Sequence, residues 1–239
     1  MKIVISIGGS LLTKDTSLSN PDTYTKNFNR YAKIIKQLYD DGNQLVVVCG
    51  GGISARMFQK IGRHFTKNIE LLDRLGIIAT DLNAYLFIAA LEKMESGIVH
   101  DVVLKEPNDV NYVGFETDWK KIIVCSGWEP GCSTDLDAAL QAESIGAEVV
   151  INATSIDGVY TKDPKQFADA KKLDKLSYTE FREILSVLPQ TPGEYRLFDL
   201  KAIDVLQRRK IKLIIIDGND PEEILRAAGG GEHKGTVVG

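Results

Sequence analysis

An α/β fold, a three-layer αβα sandwich around a mainly parallel central sheet, is what this sequence predicts, and two patterns predict it. Short runs rich in Val and Ile, bounded by Gly or Asp, recur along the 239 residues; they are continuously apolar, as strands buried on both faces are. Most intervals between them carry apolar residues at helical spacing, and strand alternating with helix implies parallel strands joined by helices that cover both faces.

The elements follow in order. KIVISI (2–7) is the first strand and runs into Gly8-Gly9-Ser10. A helix is expected from Tyr24 to Tyr39, then the strand QLVVVC (44–49), three glycines at 50–52, and a helix from Ile53 to Ile61. Leu71 to Lys93 reads as a long apolar helix, and Asp81 within it argues against a membrane span. GIVHDVV (97–103) and KIIVCS (121–126) read as strands, Asp135 to Ile145 as a helix, and AEVVINA (147–153) as a strand. The segment 157–197, with DPKQFADAKKLDKL and PQTPGEY, is polar and irregular, and predicts surface loops with one short helix from Glu180 to Leu188. A helix from Leu200 to Arg209, the strand KLIIID (212–217), a helix from Pro221 to Ala228 and a last strand in GTVVG complete the pattern. No Pro-, Gly- or Ser-rich linker and no fixed-period repeat divides the chain, so a single domain with two lobes, about 1–150 and 151–239, is expected.

Composition narrows the function. An apolar share of 44% is that of a globular core, and a net charge of −4 supplies neither a basic footprint for nucleic acid nor a polybasic membrane anchor. Cys49, Cys125 and Cys132 are odd in number and lack a C-x-x-C spacing, which reads as free thiols in a reducing compartment and no metal site. Two of them look like small core residues at strand ends. MKIVISIGGS lacks the longer apolar stretch and small-residue cleavage site of a secretory signal, so a cytoplasmic location is expected.

In open α/β sheets, ligands bind at the carboxyl ends of the strands. The junctions there are IGGSLL, CGGGISAR, SGWEPGCSTD and INATSIDGVYTKDP. Gly50-Gly51-Gly52-Ile53-Ser54-Ala55 satisfies a relaxed dinucleotide fingerprint, and Glu70 and Asp73 lie at the spacing of its ribose-binding acid. The context fails, because RHFTKNIE before them has no strand-like apolar run and the residues after them are helical.

A phosphate site asks for less. Glycines admit backbone N–H groups close to an anion, and a helix beginning at the turn adds its positive end. Two such turns in one sheet, Gly8-Gly9-Ser10 and Gly50-Gly51-Gly52, are what a phosphotransferase needs to hold two phosphate-bearing groups together. Arg56, one turn into the following helix, can reach back with paired donors. The plainer alternative, tight βα turns and an exposed helix arginine, stays open on these residues alone. A P-loop is excluded, since GGGEHKGT has its Lys before the Gly.

SIGGSLL, VVVCGGGISAR, DRLGIIATDLNA, PGCSTD, ATSIDGVYTKDP and FDLKAIDVL, in that order and over nearly the whole chain, resemble the amino acid kinase family and, within it, the UMP kinases of archaeal type. The resemblance implies transfer of the γ-phosphoryl group of ATP to UMP with Mg2+, an acceptor lobe over about 1–150, an ATP lobe over about 151–239, and a homohexamer with the Leu71–Lys93 helix as a plausible interface. It places Gly9 and Ser10 against the ATP phosphates with Gly52 and Arg56 nearby, Gly51 toward the UMP phosphate, and Asp73 on the UMP ribose. Trp128, Glu129, Pro130, Gly131, Cys132, Ser133 and Thr134 match a UMP loop, although Ser133, Thr134 and Asp135 also read as plain N-caps. Thr154, Tyr160 and Asp163 match ATP-binding positions, and Asp199 falls where relatives place an acid near the reacting phosphates. One departure stands out: many relatives have a lysine where this chain has Ser6. Arg56, Mg2+ and Lys201 are expected to supply the positive charge instead, while Lys201 reads equally well as a solvated surface lysine. Kinases of isopentenyl phosphate, carbamate or acetylglutamate remain rivals. Ile53, Ser54 and Ala55 stand where the isopentenyl phosphate enzymes place a histidine. A non-catalytic nucleotide sensor or storage protein on the same fold is the rival of a different class.

Overall fold

The computed structural model describes residues 1–13, 21–164, 166–187 and 198–239. In chain order its elements are β1 (Lys2–Ile7), α1 (Gly9–Leu12), α2 (Pro21–Asp40), β2 (Gln44–Cys49), α3 (Gly52–Gly62), α4 (Ile69–Met94), α5 (Pro107–Glu116), β3 (Ile123–Cys125) and α6 (Thr134–Ile145). Then follow β4 (Val149–Thr154), β5 (Val159–Tyr160), β6 (Lys172–Leu173), β7 (Lys175–Leu176), α7 (Tyr178–Val187), α8 (Leu200–Arg209), β8 (Lys212–Asp217), α9 (Glu222–Ala228) and β9 (Thr236–Val238).

The main sheet has the order β3-β2-β1-β4-β8-β9-β7 and is parallel from β3 to β8, with β9 antiparallel to β8. Alternate side chains feed two cores. Ile3, Ile5, Ile7, Ile151 and Ile216 pack under α2, α4 and α9, while Val4, Val150, Leu213 and Ile215 pack under α5, α6, α7 and α8. This is the expected αβα sandwich. β1 lies between β2 and β4, so the chain turns one way after β1 and the other way later. Such a switch point opens a crevice at the carboxyl ends of β1, β2 and β4.

Several boundaries differ from the sequence expectation. The run 97–103 is not a strand: Val99 and Leu104 touch the sheet as single bridges to Ile122 and Cys125. Ile98, Val99 and Val103 are buried, so the run is apolar because it packs on the core, while His100 and Asp101 break its alternation. α5 was not expected; Pro107 starts it, and only Val110, Val113 and Gly114 are buried, a stripe too narrow to show as helical periodicity. The irregular segment holds a β5–β6 hairpin, β7 and α7; its remainder, 188–197, including Leu188 of the expected helix and PQTPGEY, lies outside the described residues. Cys49 and Cys125 are buried core thiols, pushed up by burial, and all three cysteines are free.

α4 is long and apolar enough to cross a membrane by length and composition. One side of it, with Leu72, Ala84, Phe87, Ile88 and Leu91, is core, while Ile78, Leu82, Tyr85 and Leu86 are exposed beside Phe58 and Ile61 of α3.

Candidate active site

The two glycine turns meet. The Gly50 N–H donates to the Ile7 carbonyl (3.0 Å) and the Gly8 N–H to the Ala153 carbonyl (2.9 Å), so β1, β2 and β4 end level with one another. Gly9 then lies directly on Gly50 and Gly52. A Cβ on Gly9 would come closer than 3.0 Å to the Gly52 nitrogen and the Gly50 carbonyl, and one on Gly52, where φ is +61°, would meet the Gly9 carbonyl. Side chains lock the crossing. The Thr13 hydroxyl donates to the Gly9 carbonyl (2.8 Å) and accepts the Ile53 N–H (3.2 Å), and the buried Asn83 amide donates to the Gly50 carbonyl (2.7 Å).

The N–H groups of Gly9, Ser10, Gly51 and Gly52 find no acceptor among the described residues. Four free donors near one crossing can serve an anion, as successive main-chain N–H groups do. Arg56, the fifth residue of α3, is exposed and has no ion-pair partner among the described residues. Helical side chains lean toward the helix N-terminus, so its guanidinium is within reach of this crossing.

The loop 127–133 flanks the site and is strapped by three hydrogen bonds from α4 and α6. Gly127 N–H donates to the Thr80 hydroxyl (2.8 Å), Trp128 N–H to Asp137 Oδ2 (3.3 Å), and Gly131 N–H to Asp73 Oδ2 (3.0 Å). The Cys132 N–H closes a turn onto the Glu129 carbonyl around Pro130 (3.1 Å). Ser133 caps α6 by accepting the Leu136 N–H (3.2 Å), and its hydroxyl donates to Asp199 Oδ2 (2.6 Å). Asp199 in turn caps α8 by accepting the Lys201 N–H (2.9 Å). Ser133 is thus the N-cap that its sequence context also allowed, and at the same time a link between the loop and α8. Thr134 is the first residue of α6. The exposed Lys201 stands on this side, where its charge acts against the burial that raises the Cys132 thiol.

Thr154 ends β4 beside Gly8. Tyr160 in β5 donates to Asp157 (2.9 Å), which also pairs with Lys172 of β6 (3.0 Å). Burial alone would raise Asp157; Lys172 and Tyr160 outweigh it and hold that carboxyl below the usual range. The Asp163 carbonyl accepts N–H groups of Gln166 and Phe167 in the turn that follows.

The structure therefore brings Gly9, Gly50 and Gly52 together, with Ser10 and Arg56 early in the helices that start there, and gathers Asp73, the 128–134 loop, Asp199 and Lys201 on the same side. Trp128 is set apart: it lines a cleft of about 410 Å³ with Pro107, Leu140 and Arg209. Sequence reading missed Thr13, Thr80, Asn83 and Asp137. For Thr80 and Asn83 the signal was present, two polar residues three apart within the most apolar stretch of α4, with Asp81 between them. For Thr13 and Asp137 nothing local marked them.

A model of the amino acid kinase family matches residues 1–217. Over their full length, curated relatives named uridylate kinase are similar to this chain. The protein from Methanococcus vannielii is 37% identical over 238 residues (100% of this chain, 99% of the relative), and that from Methanocaldococcus jannaschii 34% over 238 residues (100% and 99%). Among solved structures, the uridylate kinase of Archaeoglobus fulgidus superposes with a TM-score of 0.84 at 36% identity, covering 100% of both chains. The UMP kinase of Bacillus anthracis, at 21% identity, 99% and 95% coverage and a TM-score of 0.82, supports the fold.

Proposed function

The chain belongs to the amino acid kinase family, and from that premise we propose that it is a nucleoside monophosphate kinase that moves the γ-phosphoryl group of ATP onto UMP, giving UDP and ADP. The crossing of the two glycine turns carries the reading. Its four free N–H groups serve two phosphates at one place, with Gly9, Ser10 and Gly52 on the donor side and Gly51 on the acceptor side.

The acceptor phosphate is already anionic at neutral pH, so no general base is needed and the transfer is a direct in-line attack. Repulsion between anions is the obstacle, and fixed N–H dipoles with Arg56 answer it by position and charge. Asp73 and the 128–134 loop hold the acceptor, with Asp73 taking the ribose through the oxygen that Gly131 does not use. Thr154, Tyr160 and Asp163 serve the ATP lobe, about 151–239, opposite an acceptor lobe of about 1–150. Asp199 aligns Ser133 with the start of α8, and Lys201 adds a cation where Ser6, buried within β1, cannot.

Among the described residues no group of three or more His, Cys, Asp or Glu could hold a metal ion. Mg2+ would come in with ATP, ligated chiefly by phosphate oxygens and water, as Mg2+ commonly is. Bound so, it would neutralise phosphate charge.

The test is release of ADP with UMP, CMP, isopentenyl phosphate, carbamate and acetylglutamate as acceptors. UMP is expected to give the highest kcat/KM by at least about tenfold, roughly 1.4 kcal/mol of barrier. Turnover led by another acceptor would move the chain to a different branch of the family, and none with any acceptor would favour a nucleotide sensor.

The exposed apolar face of α3 and α4 supports a second proposal, that copies of this chain associate there into a homo-oligomer, a hexamer by family resemblance. An apolar patch of this extent commonly marks an interaction surface. Sedimentation should show the wild type well above 26.4 kDa, and Leu82→Lys should lower the mass; a monomeric wild type would end the proposal.

A further inference from the structure

Asp137 is out of place for a surface acid. It is 2% exposed in the first turn of α6, Oδ2 accepts only the Trp128 N–H at 3.3 Å, and Oδ1 has no partner among the described residues. Unpaired buried carboxylates are costly, since nothing replaces the water they lose. The other buried acids are better served: Glu223 pairs with Arg226, and Asp199 accepts two hydrogen bonds.

The surroundings are acidic from every side. Asp135 on its own helix, Glu129 in the loop and Asp199 at the start of α8 all add negative charge. The thiols of Cys125 at the end of β3 and Cys132 in the loop face it as well. The cations nearby are committed or distant: Lys105 pairs with Asp81 of α4 (2.8 Å), and the influence of Lys201 falls on Cys132. Burial first, and then these three acids, push the Asp137 carboxyl up to about 7 against the pull of the Trp128 N–H.

We propose that Asp137 is a positioning residue for the acceptor loop: neutral, it tolerates the loop packed over it, and ionised, it displaces the loop to reach water and adds a negative charge beside the acceptor phosphate. The proton sits on Oδ1, leaving Oδ2 to accept the Trp128 N–H. Loss of that proton strengthens the Trp128 N–H bond, but one long hydrogen bond does not replace the water that a buried charge loses, and the cheapest relief is movement of the 127–133 segment. Acceptor binding then weakens as pH rises through neutrality. The catalytic part rests on the reading of 128–134 as the acceptor loop; the proton-linked movement does not.

Three measurements on wild type and Asp137→Asn test this. Tryptophan emission of the free protein should show a transition near pH 7 that disappears in Asp137→Asn and in Trp128→Phe. The ratio of the wild-type KM for UMP to that of Asp137→Asn should rise about fivefold or more from pH 6 to pH 8, with the kcat ratio changing less than twofold; titration of the UMP phosphate, itself near pH 6, is common to both proteins and cancels. Thermal melting supplies the third. An acid raised from 3.8 to about 7 on folding binds its proton more tightly in the folded state, so its contribution is complete below about pH 4 and declines up to about pH 7. Asp137→Asn should therefore melt close to wild type at about pH 4 and at least about 5 °C above it at pH 8. An emission transition that persists in Asp137→Asn, a flat KM ratio, or equal melting at pH 8 overturns the proposal. If UMP is not a substrate, emission and melting still decide whether Asp137 governs the loop.

Discussion

Gly9→Ala is expected to lower the melting temperature by about 6–12 °C and kcat/KM by more than 100-fold. The added methyl would sit closer than 3.0 Å to the Gly52 nitrogen and the Gly50 carbonyl, which are main-chain atoms with no rotamer to escape into. Neither strand can yield cheaply. Ile7 and Cys49 are the last in-register pair of the parallel β1–β2 ladder, and Thr13 and Asn83 tie the two turns together. Relief must come from separating α1 from α3, an overpacking cost of about 3 kcal/mol or more, which for a domain of this size gives that melting shift. The activity loss is larger than the stability loss implies, because the same separation displaces the N–H donors, and misplacement by about 1 Å at a reacting centre costs on the order of 100-fold. Gly231→Ala is the control, since its Cβ would make an ordinary contact at 3.7 Å. Differential scanning calorimetry with steady-state kinetics checks the pair. Gly9→Ala within 2 °C of wild type (an order-of-magnitude threshold of about 1 kcal/mol) would mean that the turns are not interlocked.

Arg56→Ala should act the other way round, removing activity and leaving stability. The side chain is exposed and unpaired among the described residues, so the folded state loses no contact, and a change within about 0.5 kcal/mol is expected. Its role lies in the transition state, where charge spreads over the transferring group and a preorganised donor is worth about 100- to 1,000-fold. A fall in kcat of at least about 100-fold, or roughly 2.7 kcal/mol of barrier, is therefore the expected result, with Arg56→Lys recovering part of it as a point charge without the bidentate fork. A fall below about threefold, under roughly 1 kcal/mol, would reduce Arg56 to the surface arginine that the sequence also permits. The same threshold applied to Lys201→Ala decides whether the cation missing at Ser6 is replaced from α8.

What could be read along the chain was what depends on neighbours in sequence. Buried strands appear as continuous Val and Ile runs, so 2–7, 44–49 and 212–217 match β1, β2 and β8 to the residue. Where an apolar run packs on the core with no more than a single bridge to the sheet, as at 97–103, the same composition gives no strand, because a ladder needs a partner that the run cannot specify. Three of the four junctions, and with them the glycines of the candidate phosphate site, were readable because glycine and small polar residues mark βα turns wherever they end up in space; the fourth, INATSIDGVYTKDP, leads from β4 into the β5–β6 hairpin and not into a helix.

The tertiary structure alone decided how those turns combine. Gly9 and Gly52 are 43 positions apart, and only the β1–β2 register makes one exclude a Cβ on the other. Thr13, an unremarkable threonine in sequence, becomes the hydroxyl that joins both turns. Asp73 acquires Gly131 across 58 positions, and Asp137, which local sequence would leave on a solvated first helical turn, loses its water to the loop folded over it. The physical reason is the same in each case. Periodicity and turn chemistry act over a few residues and choose the elements, whereas close approach, desolvation and the choice of which N–H groups stay free arise only when distant segments share one volume.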